Sequence, residues 1–318
     1  MTETISQQAI VPDHLHSQRL DKVAAELFPD FSRSRIQSWI KAGQLTVNGQ
    51  QCKPREHLKG GETLTIEAEL EPEIHASPEE IPIDIVYEDD SLLVINKPAG
   101  LVVHPAVGNR SGTLLNALLH HQPSLENLPR CGIVHRIDKD TTGLLVIAKT
   151  LQAHHHLVRQ LQKKTMGREY QAVVIGELTG GSKVEAKIGR HPNQRVKMAV
   201  TEHGKPAVTH YRLLKRFRGH THIKLMLETG RTHQIRVHMA YVGYPLVGDP
   251  TYGGRPRLPK GASQELIEAV SQFRRQALHA FSLTLEHPVT GETMSWQAKL
   301  PEDFQQLLQA LELDKTKM

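Results

Sequence analysis

Near the start of the chain, apolar positions recur at helical spacing. Leu20, Val23, Ala24 and Leu27 share one face of a helix that opens at Arg19-Leu20-Asp21 and closes at Phe28-Pro29. Ser32 is a suitable N-cap for a second helix, SRSRIQSWIKAG, with Ile36, Trp39 and Ile40 inward and Gly43 at its end. Two short strands follow: QLTVNGQ, with Asn48-Gly49 as its turn, and ETLTIEAEL, whose apolar residues alternate. Residues 17–68 therefore read as one small unit, with a flexible N-terminus over residues 1–16.

Segment 69–83, ELEPEIHASPEEIPI, is acidic, holds three prolines and reads as a linker. Beyond it the pattern becomes strand-rich: DIVYEDD, SLLVINKPAG, LLVIAKT, REYQAVVIGEL, AVTHYRLLKRF and HIKLMLETG. Amphipathic helices are predicted at 113–121, 153–164 and 231–242. Strands mixed with helices, without steady βαβ alternation, predict an α+β domain over 77–305, followed by a C-terminal helix or tail over 306–318. The sequence contains neither an internal repeat nor a low-complexity tract.

At 318 residues and 38% hydrophobic content the chain suits two domains with real cores. No apolar run approaches the roughly 20 residues of a membrane span, and MTETISQQAIVPDHLHSQRL lacks the pattern of a secretory signal. Cys52 and Cys131 form no CxxC pair, so a reducing cytoplasm is expected. The net charge of +5 is unevenly spread: residues 151–260 carry 20 Lys+Arg against 6 Asp+Glu, and residues 31–60 carry six basic residues against one acidic. Two basic regions fit a polyanionic partner, although a solvated basic surface would read the same way.

The densest chemistry lies in GIVHRIDKDTTGLLVIAKT, residues 132–150. Apolar Ile133-Val134 and LLVIA flank His135, Arg136, Asp138, Lys139, Asp140, Thr141 and Thr142, so both flanks read as buried strands. Ionisable groups crowded there must pair or act. A capped turn accounts for Asp140, Thr141 and Thr142, whose side chains would bond backbone amides. It does not account for His135, Arg136 and Asp138. A protein-kinase catalytic loop is excluded, because Ile137 separates Arg136 from Asp138 and position 143 is glycine.

A second stretch, LETGRTHQIRVHMAYVGYPLVGDPTYGG, places Arg236 one turn inside the predicted helix, where it needs an anionic partner. The spacing of His233 and His238 suits no zinc motif, and His154-His155-His156 reads as helix surface. In the first unit Arg33, Arg35 and Lys41 lie along one helix, with Lys53, Arg55 and Lys59 on the loop that follows.

RLDKVAAELFPDFSRSRIQSWIKAGQLTVNG resembles the S4 domain, a small α/β RNA-binding fold, which implies that Arg33, Arg35 and Lys41 contact RNA. HRIDKDTTG, GRTHQIRVH, REYQAVV, YEDDSLLVINKPAGLVVHP and QALHAFSLTLEHPVTGE together resemble the RluA family of pseudouridine synthases. That likeness covers residues 10–305 and departs from the common signature only at Thr142, where many relatives have serine and the hydroxyl is kept. It implies a central, mostly antiparallel mixed sheet flanked by helices. It also implies an isomerase that converts uridine to pseudouridine without cofactor or metal, and a monomer acting on ribosomal RNA or pre-50S and 50S particles. The S4 unit and the HRIDKDTTG variant point to three uridines of the helix 69 stem-loop of 23S rRNA.

By resemblance Asp138 is the nucleophile, attacking C1′ or assisting glycal formation. Arg136 fills the space left by the flipped base, and Tyr170 stacks on the uracil and takes a proton at C2′ on the glycal route. Arg236, with Arg231 as its rival, pairs with Asp138. His135, Arg231 and His233 are further RNA contacts. The alternatives are a non-catalytic S4-type ribosome-assembly factor and a hydrolase, which would need an activated water and a second carboxylate, with only Asp140 near in sequence.

Overall fold

The computed structural model describes residues 4–29, 31, 33–69, 76–105, 109–194 and 197–316. The N-terminal module contains β1 (Thr4–Ile10), α1 (Leu20–Leu27), α2 (Arg33–Ala42), β2 (Leu45–Val47) and β3 (Thr63–Glu69). The expected N-cap Ser32 lies outside the described residues. Leu20, Val23, Ile36, Ile40, Leu64 and Ile66 form its buried core. Asn48 (φ 49°) and Gly49 (φ 76°) make the tight turn after β2.

Residues 4–10 are not a flexible end. They pair antiparallel with β3 from Thr4↔Glu69 to Ile10↔Thr63, giving the sheet order β1-β3-β2. β1 is held by backbone bonds along an edge, with only Ile5 and Ala9 packing on the core, so its side chains carry little apolar signal.

The expected linker is a strap over its second half, while residues 70–75 fall outside the described set. Asn116 donates its side-chain amide to the Ser77 carbonyl at 2.9 Å, and Glu79 accepts the Gly112 amide at 3.1 Å. Ala76, Ile81 and Ile83 pack on the catalytic core.

The larger domain is built on β4 (Ile85–Glu88), β5 (Leu92–Lys97), α3 (Leu114–His121), β6 (Thr142–Ala148), α4 (Leu151–Lys163) and β7 (Gly167–Ile175). It continues through β8 (Ser182–Glu185), β9 (Ile188–Arg190), β10 (Met198–Val200), β11 (Val208–Phe217), β12 (His220–Leu227) and α5 (Gln234–Tyr241). It closes with α6 (Gln264–Gln272), β13 (Leu278–Glu286), β14 (Thr293–Gln297) and α7 (Glu302–Thr316). The main sheet runs β4-β5-β6-β13-β7-β12-β11-β8, with β14 on β13, and among the described residues its only parallel pair is β6 with β13. The fold is thus the mixed, mostly antiparallel α+β sheet expected. The last helix begins four residues before the expected tail, because Phe304, Leu307 and Leu311 pack with Leu266 and Val270 of α6.

β6 is buried on both faces and sits at the centre of this layering. Leu145 and Ile147 join α3 and α5 in one cluster, while Leu144 and Val146 join α4 in another. Gly143 (φ 110°) lets β6 touch β13, since a Cβ there would stand 2.2 Å from the Ala280 carbonyl oxygen. The residue that ends the Asp138 loop is thereby fixed against the middle of the sheet.

Candidate active site

The segment before Asp138 is not a strand. Ile133 makes a single bridge to Ile147, and the chain then runs irregularly to β6. Two side chains hold it: Ile137 enters the core, and the His135 ring accepts the Val146 amide on Nε2 at 3.2 Å. Burial, helped by the charge of Arg168, pushes His135 down to about 3, so its ring is neutral. Its ring thus ties the loop to the sheet, and it also lines the cavity beside the Asp138 pocket.

The threonines of the loop are engaged, though not by backbone amides. Gln276 donates to the Thr141 hydroxyl at 2.9 Å, and Thr142 meets His279 Nδ1 at 2.8 Å. Lys97, at the end of β5, donates to the Lys139 carbonyl at 2.8 Å and to those of Pro98 and Leu101 at 2.6 and 2.9 Å. A turn closes as the Thr141 amide bonds the Asp138 carbonyl at 3.0 Å. Held at so many points, the loop presents Asp138 with little freedom.

The Asp138 side chain is 18% exposed, and its Oδ2 accepts from Arg236 Nη1 at 3.0 Å. Arg236 is nearly buried and directs its other two donors to Asp249: Nε to Oδ2 at 2.7 Å and Nη2 to Oδ1 at 2.8 Å. Asp249 Oδ1 also accepts the amides of Thr251 and Tyr252, at 2.8 and 3.0 Å. Burial works to raise Asp249, but Arg236 and these amides outweigh it and hold the carboxyl below its ordinary range. Arg236 is correspondingly raised against its own burial. Its guanidinium lies 5.1 Å from the centre of the Tyr252 ring.

The helix that carries Arg236 starts later than expected, at Gln234. The Gln234 side-chain oxygen accepts the Arg231 amide at 3.0 Å and the Thr229 hydroxyl at 2.7 Å, closing a turn before the helix begins. His233 then takes a left-handed conformation (φ 56°) at the helix start. Its Nε2 stands 4.0 Å from Asp138 Oδ1, and its Nδ1 lies 2.9 Å from the Tyr252 hydroxyl. That hydroxyl also accepts the Met198 amide at 2.9 Å, which ties the Tyr252 and His233 side chains to β10. Burial pushes the imidazole down from its ordinary value against the pull of Asp138, and its Nε2 edge faces that carboxylate. Arg231 gives its Nε to the Pro206 carbonyl at 3.1 Å rather than to Asp138.

Asp138, Arg136, Arg168, Tyr170, Arg231, His233 and Arg236 line one pocket open to solvent. Tyr170 is buried on β7, between Leu225 of β12 and Ala280 of β13. Burial, aided by Asp138, raises its phenol against the opposing charge of Arg168, so the hydroxyl stays protonated at neutral pH. Arg136 is exposed, with no hydrogen-bond or ion-pair partner among the described residues.

The three S4-unit cations stand apart from this pocket, on α2. Arg33 bonds buried Asp21 at 3.0 Å, sharing that carboxylate with Arg19 and Gln37. Arg35 lies 5.9 Å from the Trp39 ring centre, and Lys41 is exposed.

Sequence reasoning missed Asp249, Tyr252, Arg168 and Lys97. Asp249 sits in a Gly-Asp-Pro turn that reads as a loop, and only the unassigned need of Arg236 for an anion pointed to it. Lys97 closes an apolar strand, where a charged residue reads as the strand end. His238, set aside as a metal ligand, is a core residue bonded to Thr209 and the Ala186 carbonyl. No group of three or more potential metal ligands occurs among the described residues.

With this geometry in hand, comparison with known proteins is informative. The RNA pseudouridylate synthase family model matches residues 91–241, and the S4 domain model matches residues 18–64. A Pseudomonas aeruginosa relative, "Ribosomal large subunit pseudouridine synthase D", is 57% identical over 315 residues, covering 99% of this chain and 98% of its own length. The protein of that name from Salmonella typhimurium is 55% identical over 99% of this chain and 97% of its own. Among solved structures, Human RNA Pseudouridylate Synthase Domain Containing 4 superposes with a TM-score of 0.55 at 27% identity, covering 72% of this chain and 93% of that one.

Proposed function

The chain belongs to the RNA pseudouridylate synthase family and carries an S4 domain, and we propose that it isomerises uridines of large-subunit ribosomal RNA with Asp138 as its reacting carboxylate. The observation that carries this reading is the Asp249–Arg236–Asp138 chain, which fixes one Asp138 oxygen and leaves the other open to the pocket. Support for the target comes from the names of the relatives, which act on the large ribosomal subunit. The finer target, three uridines of the helix 69 stem-loop of 23S rRNA, rests on the likeness of HRIDKDTTG and the S4 unit to the RluA family.

The reaction breaks the bond from ribose C1′ to uracil N1 and reattaches the base through C5. The C5 proton is lost and N1 gains one, so the product is an isomer of the substrate. Arg236 holds Asp138 Oδ2, which leaves Oδ1 to attack C1′ or to take the C2′ proton on the glycal route. A protonated phenol is a poor base, so Tyr170 serves better as the wall against which uracil stacks. This favours stacking over the proton-accepting role implied by resemblance. His233 Nε2, 4.0 Å from Oδ1, would steady the released carboxylate or the base as it turns when that nitrogen carries a proton. The uridine must leave its stack at a cost of a few kcal/mol, and exposed Arg136 is placed to fill the gap. Arg33, Arg35 and Lys41 supply phosphate contacts away from the chemistry.

The test is incubation of the purified protein with 23S rRNA and with 50S particles, without additives, followed by pseudouridine mapping. Pseudouridine in helix 69 is expected, with none formed by Asp138→Asn. Modification confined to other large-subunit stem-loops would remove the finer target, release of free uracil would mean glycosidic hydrolysis, and no modification at all would remove the reading.

A further inference from the structure

Beside the Asp138 pocket lies a larger cavity, about 770 Å³, which the reaction above does not use. That volume is in the range of small-ligand sites. Val134, Val158 and Leu161 give it an apolar floor, and Arg130 and Lys164 stand on its rim. Arg136, Arg168, Gly230 and Arg231 line both spaces, so the arginines partition one from the other.

Arg168 is the unusual member of this partition. Its Nε is buried with no hydrogen-bond partner among the described residues, and its Nη2 makes only a long 3.5 Å bond to the Leu227 carbonyl. No carboxylate pairs with it among the described residues, whereas nearby Glu228 is engaged by Lys164 and His210. Gly230 leaves room for the guanidinium, since a Cβ there would stand 3.1 Å from Arg168 Nη1. A half-buried guanidinium so poorly supplied with acceptors calls for an anion.

The rim is also strained. Arg130 and Cys131 are consecutive left-handed residues (φ 52° each). Such conformations cost of order 1–3 kcal/mol each and gather at ligand sites. His104, on the cavity wall, is pushed down to about 4 by burial and by Arg130 and Arg136. It therefore offers a base edge one donor and one acceptor.

We infer that this cavity is a second nucleotide subsite, taking the base next to the target uridine while Arg168 holds the phosphate between them. The inference rests on the Asp138 pocket being the uridine site. An apolar floor suits the face of any base, and the cations of the partition suit the linking phosphodiester. The arrangement would extend recognition from one nucleotide to two and anchor the strand while the target turns.

The test uses a stem-loop RNA with one target uridine and two versions in which the nucleotide on its 5′ or its 3′ side is abasic. Binding and single-turnover rate are measured for the full-length protein and for Val158→Trp, which fills the floor, and Arg168→Met. One abasic RNA is expected to bind wild type about tenfold more weakly than intact RNA, the loss of a stacked base. Val158→Trp should bind intact RNA about as weakly and be indifferent to that abasic change. Arg168→Met should weaken intact and abasic RNA alike and lower the salt slope of binding by about one, since the phosphate remains in both. Equal binding of all three RNAs by wild type overturns the subsite, and this arm decides alone if Val158→Trp melts early. Absence of turnover on intact RNA would overturn the uridine reading instead, while the affinity differences would still report on the cavity.

Discussion

Arg236 gives Asp249 two hydrogen bonds, at 2.7 and 2.8 Å, and Asp138 only one, at 3.0 Å. The tighter contact is with the residue that performs no chemistry. Asp249 is fully buried and bonded to two backbone amides, so it is an anchor that aims the third guanidinium donor. The carboxylate proposed to react is thus positioned through a structural one.

Asp249→Ala should accordingly act on both stability and rate. Removing one member of a buried pair leaves Arg236 with a single partner and should destabilise the fold by about 3–5 kcal/mol. Turnover should fall about a hundredfold as the guanidinium loses its aim. Asp249→Asn keeps the shape and one acceptor and should fall between Asp249→Ala and wild type. Urea unfolding and single-turnover rates measure the two effects, and an Asp249→Ala protein with wild-type rate would show that Asp249 does not position the site.

The variants Arg236→Ala, Arg236→Lys and Arg231→Ala separate charge from geometry. Lysine supplies one point charge where three directed donors are needed, so Arg236→Lys should recover less than its charge suggests. Arg236→Ala should regain part of its rate as pH rises, because a carboxylate deprived of its cation in a pocket holds its proton more tightly. Arg231 bonds a carbonyl and not Asp138, so Arg231→Ala should weaken RNA binding without reshaping the pH profile. Single-turnover rates against pH at saturating enzyme decide this, and a reshaped profile in Arg231→Ala alone would reverse the assignment.

How much of this was legible in the sequence depends on the kind of force involved. The loop at Asp138 stood out because ionisable groups crowd against the apolar run of β6. The strand-rich α+β pattern was readable for the same reason, since side-chain burial leaves a period. β1 escaped because its hold on β3 is backbone to backbone, with a burial pattern that never becomes fully buried. The start of α5 was misplaced because Gln234, an ordinary helix residue in sequence, spends its side chain closing the turn before it. Asp249 and Lys97 escaped because their partners are set by the fold: Lys97 serves a carbonyl 42 residues away.

The N-terminal module should contribute affinity and targeting without chemistry. Each unit has its own buried core, and the strap at Ser77 and Glu79 belongs to the catalytic domain. A truncated protein beginning at Ala76 keeps the strap and should still modify RNA at high enzyme concentration. Its salt slope of binding should be shallower, because fewer phosphates are neutralised. Arg33→Ala should also lower the melting temperature, because it strips one bond from buried Asp21, an effect Lys41→Ala should lack. Identical salt slopes and site selectivity in the full-length and truncated proteins would rule the module out as an RNA-targeting device.

Lys97 provides a pH signature for the clamp behind Asp138. Its buried ammonium meets three carbonyls, and burial pushes it from 10.5 down to about 7 against the pull of Asp140 and Asp138. The unfolded chain keeps this proton up to about 10.5, whereas the folded chain releases it near 7. Between those values the unfolded state binds more protons, so the contribution of this group to stability rises with pH and is lost as pH falls through about 7. At about 1.4 kcal/mol per unit of difference, the effect amounts to several kcal/mol across the window. Other groups titrate there as well, so Lys97→Met is the reference that isolates it. The unfolding free energy of wild type minus that of Lys97→Met should grow as pH is raised from 7 toward 10. Turnover should move the opposite way, because a neutral amine has two protons for three carbonyls and loosens its hold on the Asp138 loop. Urea unfolding of both proteins at several pH values is the measurement. A difference that stays flat across the window would mean that the folded protein keeps the Lys97 proton and that the clamp does not titrate.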